Sequence, residues 1–199
     1  MTALPDELRS LHEAYDANER TARELVASLT EAHGTWHPAP GSWSVAECLD
    51  HLAFSNRVYI AAMQPPAAQA RVAGRMRRRS ALPGVLGGWF VKSLEPPVTR
   101  RMRAPRTIVP RPSPRLADAA STFFASHDQV VQFLRVYADI DLAATRFPNP
   151  FIRAIRFSLA TGVHVLAAHE RRHLWQASNV ARLAGREGRG AGTTPIAAR

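Results

Sequence analysis

His169 and His173 lie four residues apart in a stretch whose apolar pattern is helical. At about 100° per residue their side chains diverge by roughly 40° and leave one helix face about one turn apart. That spacing lets two imidazole nitrogens reach one ion at about 2.0–2.1 Å. A pair on one helix needs a further ligand from another, because metal sites in bundles are assembled across facing helices. His51 is the histidine inside the second helical segment, in an apolar setting, and is the expected third ligand. His12 and His127, on the first and third segments, have polar neighbours in sequence and are expected to face solvent. His164 precedes His169 by five residues and points away from it. A single helical histidine is more often a packed or surface residue, so the reading rests on the three together.

The string His169-Glu170-Arg171-Arg172-His173 also fits H-E-x-x-H, in which Glu170 is the general base of a zinc peptidase. The usual extension places glycine and histidine where this chain has Gln176 and Asn179. The only later acid is Glu187, in a glycine-rich stretch. The peptidase reading is therefore disfavoured.

Three neutral nitrogens leave coordination positions open, as in catalytic rather than structural sites. An ion held that way lowers the pKa of bound water or thiol and polarises a carbonyl. Imidazole ligation suits a divalent transition metal such as zinc, nickel, iron or copper. Glu47, one turn before His51, is a candidate base or support, although a helix cap explains it equally well. Gln176, three residues after His173, is a candidate for orienting a ligand or water; a surface glutamine is the duller account. Cys48, Trp43 and Trp175 read first as packing residues, and Arg171 and Arg172 as a solvated face.

The elements that would position these groups are helices. Pro5-Asp6-Glu7 opens the first, with Leu8, Leu11, Tyr15, Ala22, Leu25 and Leu29 at helical spacing and Gly34 as its end. Ser44 with Glu47 makes a capping box for the second, which Pro65-Pro66 is expected to end. Ser113-Pro114 opens the third, carrying Phe123, Phe124, Val130, Val131, Phe133, Leu134 and Tyr137. The fourth is expected from about 152 to 184, stopped by Gly185. Residues 65–114 are rich in Pro, Arg and Gly around a short apolar piece, Val85 to Leu94, and read as an insertion or crossover. The expected organisation is one all-α domain over 1–184, a four-helix bundle with a long Pro/Arg-rich crossover between the second and third helices. A disordered tail is expected over 185–199.

The chain has 199 residues, 46% hydrophobic and 21% charged, enough to bury one core. Its single cysteine, Cys48, excludes an internal disulfide and a thiolate zinc cluster. The formal charge of +10 is almost all arginine, since Lys92 is the only lysine. Arginine runs such as 75–79 raise nucleic acid as a partner, but GC-rich codons explain the composition and no reader motif is present. Residues 1–13 carry acids and no apolar core, unlike a signal peptide, so a cytoplasmic protein without a membrane partner is expected.

Four passages resemble the DinB-like family. They are Trp36-His37-Pro38-Ala39-Pro40-Gly41-Ser42-Trp43-Ser44-Val45, then Glu47-Cys48-Leu49-Asp50-His51-Leu52, then Arg103-Ala104-Pro105 with Val109-Pro110, and Ala168-His169-Glu170-Arg171-Arg172-His173-Leu174-Trp175-Gln176. The resemblance implies a four-helix bundle with a long crossover, a three-histidine site on His51, His169 and His173, and often a homodimer. It also implies a possible low-molecular-weight thiol cofactor, since the better understood relatives are transferases and isomerases using bacillithiol, mycothiol or glutathione. The arginine-rich stretch from Arg71 to Arg79 is not explained by it. The expected function is a metal-dependent enzyme that activates a thiol or water for transfer or hydrolysis on a small-molecule substrate. A non-catalytic metal-binding stress-response protein is the alternative.

Overall fold

A computed structural model describes residues 5–97, 112–152 and 154–190. Six helices and one small hairpin make up the described chain. In order they are α1 (Asp6–Ala27), α2 (Glu31–Thr35), α3 (Val45–Val72), α4 (Val85–Leu94), α5 (Leu116–Val136), β1 (Arg146–Pro148), β2 (Arg156–Ser158) and α6 (Leu159–Gly190). The fold is all-α, with α1, α3, α5 and α6 as the long helices of the bundle.

Several boundaries differ from the sequence expectation. The first helical pattern breaks at Ser28, and Thr30 caps a separate short α2 by accepting from the His33 amide. Pro65 and Pro66 do not end the second helix; α3 continues through them to Val72. Two missing N–H groups cost two ladder bonds, but the turns beyond bury Ala67 and Ala70 in the core, and tertiary packing outweighs the local penalty. The segment expected to begin the last helix instead carries β2, which pairs antiparallel with β1 just before it, in register at Phe147 and Phe157. Hence α6 starts at Leu159, and it runs past Gly185 to Gly190. A lone glycine costs about 1 kcal/mol in a helix and does not by itself stop one. Residues 191–199 of the expected tail, and the Arg103–Pro105 and Val109–Pro110 passages, lie outside the described residues.

Directions follow from how the core divides. One apolar cluster holds Leu8, Leu11 and Tyr15 of α1, Tyr59, Met63, Ala67 and Ala70 of α3, Val130, Phe133 and Leu134 of α5, and the start of α6 from Leu159 to Ala168. The other holds Ala22 and Leu25, Val45 to Ala53, Leu116 to Phe123, and Leu174, Ala177 and Val180. So α1 and α6 run one way, and α3 and α5 the other. Two parallel neighbours cannot be joined by a tight turn, and the α3-to-α5 link carries α4 on its way back.

That helix seats itself on α6 through Gly87, Phe90, Val91 and Leu94. The seat is close: a Cβ on Gly87 would meet Thr161 Oγ1 at 2.5 Å. Gly162 is as tightly held, with Met63 Sδ 2.5 Å and Phe147 Cε1 2.8 Å from where its Cβ would stand. Gly162→Ala is expected to lower stability by about 1–3 kcal/mol, the usual cost of overpacking, measured by urea denaturation. No helix among the described residues is long and apolar enough to cross a membrane.

Candidate metal centre

The Ser44 hydroxyl accepts from the Glu47 amide, and the Glu47 carboxylate accepts from the Ser44 amide at 2.8 Å. This capping box fixes the first turn of α3 and with it the direction of His51, one turn further on. His169 and His173 occupy consecutive turns in the middle of α6. The bundle brings all three together. One ligating atom from each lies within 4.8 Å of the others, and His51 Nε2 stands 3.2 Å from His169 Nε2. Two ligands at 2.0–2.1 Å from one ion at a tetrahedral angle stand about 3.3 Å apart. One pair already has that spacing, and small side-chain rotations would bring in the third.

Protonation also fits. Burial holds His169 well below the ordinary histidine range, and any charge on His173 or His51 would depress it further. His173 is lowered in the same way, by burial first. Both rings are therefore neutral at neutral pH, the form a metal requires. The Gln176 side-chain oxygen accepts from His173 Nδ1 at 3.1 Å. That bond commits the ring proton to Nδ1 and leaves the Nε2 lone pair for the cluster. Trp43 packs its ring on two of the three, nearly parallel to His173 at 5.6 Å between centroids and tilted over His51 at 4.8 Å.

Supporting partners of metal ligands are typically worth about 10–100-fold in affinity. Gln176→Leu is thus expected to weaken metal binding about 10-fold with little change in stability, read by competition with a chromogenic chelator. Unchanged affinity would make Gln176 incidental.

Residues 14–177 match the family model described as the DinB superfamily. The chain belongs to the DinB superfamily. No curated protein and no solved structure matches it. The sequence resemblance is therefore upheld at the level of family. The three residues expected to be ligands in this DinB superfamily chain are the three that converge.

Other expectations fare differently. Glu47 is engaged by its cap and by His37 Nε2 at 2.8 Å, so its carboxylate is already shared between two partners. Gln176 orients a histidine. Cys48 is fully buried, and burial pushes its thiol far up, which suits a small packing residue and not a nucleophile. His164 bonds to the Ala81 carbonyl. Trp175 is partly exposed, whereas Trp43, read first as packing, lies against the histidines.

His127 corrects the sequence reading: it is buried, not solvent-facing. Its Nδ1 donates to the Glu170 carboxylate, 3.1–3.2 Å from the two oxygens. Asn18 Nδ2 reaches Glu170 Oε2 at 3.1 Å and Asn56 Nδ2 reaches Oε1 at 2.9 Å. Glu170, the would-be peptidase base, is thus fully buried and hydrogen-bonded from α1, α3 and α5. One residue beyond His169 on a helix is a rotation of about 100°, which turns Glu170 into the bundle while the histidines face α3. Sequence reasoning missed this layer. The signal was present: Asn18 falls between Tyr15 and Ala22 on the inward stripe of α1, and His127 between Phe123 and Val130 on that of α5.

Proposed function

We propose that this chain is a metal-dependent enzyme that holds one divalent transition-metal ion on His51, His169 and His173 and activates a thiol or water for transfer to, or hydrolysis of, a small molecule. The observation that carries this reading is the meeting of three imidazoles, two held neutral by burial, at ligand spacing. When bound, the ion would supply Lewis acidity and stabilise a thiolate or hydroxide at neutral pH. The protein would supply the rest. The capping box and α6 aim the rings, Gln176 sets the tautomer of His173, and Trp43 shields one flank of the cluster from water. Three nitrogen donors leave room for a substrate atom, which supports catalysis over storage. The burial of Glu170 among three polar side chains argues against the peptidase reading, because that carboxylate is committed elsewhere.

The test begins with metal analysis of protein purified without a histidine tag, expected to give one ion per chain. The holoprotein is then offered glutathione, mycothiol or bacillithiol with an electrophilic acceptor, alongside ester and amide substrates. Turnover should vanish on chelation and return with added metal. Full metal content with no turnover in any arm would shift the assignment to a non-catalytic metal-binding protein.

A further inference from the structure

The arginine-rich segment and α4 remain unused by the proposed chemistry. The α4 residues Gly87, Phe90, Val91 and Leu94 face α6. At about 100° per residue, Val85, Trp89 and Lys92 point directly the opposite way. Val85 is 96% exposed, Leu86 and Trp89 are each 68% exposed, and Leu82, in the non-helical stretch before α4, is 52% exposed. Val85, Leu86 and Trp89 are three large apolar side chains within two turns of one short helix and form a ridge, not scattered surface residues.

The charges around this ridge have one sign. Between Arg71 and Pro97 the only acid is Glu95, and Arg171 already pairs with it. Arg71 is paired with Asp139 and Arg77 with Glu7. Among the described residues no ion pair engages Arg75, Arg78, Arg79 or Lys92, and all four are exposed. The result is an exposed Trp-bearing apolar ridge preceded and flanked by unpaired cations.

We propose that the outward face of α4, with the cationic segment before it, docks on an anionic lipid surface. Ten residues cannot cross a bilayer, but a helix lying in the interface needs only one apolar face. Tryptophan at the headgroup boundary and arginine or lysine beside it make the pattern that binds there. The observations favour lipid over the other occupants. Nucleic acid would use the arginines and leave the Val85–Trp89 ridge in water. A symmetric contact with a second copy would bring four unpaired cations toward four more with no acid between them.

The test uses the full-length protein with large unilamellar vesicles of phosphatidylcholine alone or with about 30 mol% phosphatidylglycerol, in sedimentation assays. Binding is expected only to the anionic vesicles and should weaken about tenfold between about 50 and 300 mM salt, since the surface charges are screened. A blue shift of the emission should accompany binding and be missing in Trp89→Phe. Trp89→Ser with Val85→Ser, and separately Arg78→Glu with Arg79→Glu, should each weaken binding at least about fivefold with an unchanged far-UV spectrum and unchanged metal content. Four binding or association outcomes would overturn the proposal. They are no binding to anionic vesicles, equal binding to both vesicle types, self-association abolished by the Val85 and Trp89 changes, and binding to duplex DNA that depends on the arginines and ignores the ridge. Trp89 shielded from acrylamide in the free protein would also overturn it, because the face would then be covered by the chain itself.

Discussion

Replacing His169 with alanine is expected to leave a folded protein that no longer retains stoichiometric metal. His169 shares its helix with His173 and faces His51 at 3.2 Å, so it is the hinge of the cluster. With it removed, the remaining imidazoles come from different helices and lose the member that links them. The loss should exceed the about 10–100-fold that follows removal of a supporting partner such as Gln176. His51→Ala should behave similarly, because it removes the only contribution from α3. His173→Ala leaves His51 and His169 at ligand distance and should retain the most residual affinity of the three. Burial already suppresses the charge on His169 and His173, so replacing either strands no buried charge. Stability should therefore change far less than metal content, by the cavity term alone. The measurements are metal analysis and titration calorimetry on tag-free protein. Normal metal content in all three variants would end the assignment, and metal lost only along with the fold would reduce it to a structural role.

What could be read from the sequence follows a physical rule. The histidines were legible because ligand chemistry demands residue types at helical spacing, and four residues on one helix is a local property. The Ser44–Glu47 box was legible for the same reason. The helix ends were not. Pro65-Pro66 and Gly185 are local breakers, but packing of distant residues on the turns beyond carries α3 through its prolines, and a lone glycine costs α6 too little to stop it. The β1–β2 hairpin was hidden because three-residue strands leave no period to count. His127 was misread because its sequence neighbours are polar, while its neighbours in space are Tyr15, Phe123 and Glu170.

That misreading bears on the second large effect. Glu170→Ala is expected to cost about 3–5 kcal/mol of unfolding free energy, the range for removing one partner of a buried pair. The carboxylate is the shared acceptor of Asn18, Asn56 and His127, and all four residues lie in the gap between the two apolar clusters of the core. Its loss leaves three buried donors facing a void. Glu170→Gln keeps the shape but turns an NH2 donor toward neighbours that themselves donate, and should cost about 1–3 kcal/mol. Glu170→Leu combined with His127→Leu should recover much of the loss, since well-packed apolar residues often replace buried ion pairs without penalty. The His127 pKa sets the sign of the pH dependence. Burial pulls it down, but the hydrogen bond and charge of Glu170 outweigh that and leave it raised. A raised folded-state value means the contribution is complete below about 6.5, the unfolded value, and fades as pH rises through the folded one. Denaturation midpoints should fall over that interval in the parent protein and stay flatter in His127→Gln. The same layer fixes the rotation of α6, because Glu170 is gripped from three helices at a point one residue from His169 and three from His173. Glu170→Ala, examined well below its melting temperature, should therefore also bind metal more weakly although no ligand has been touched. Parent-like affinity in a cooperatively folded Glu170→Ala would show that the histidines find each other without this anchor, and that the polar layer serves stability alone.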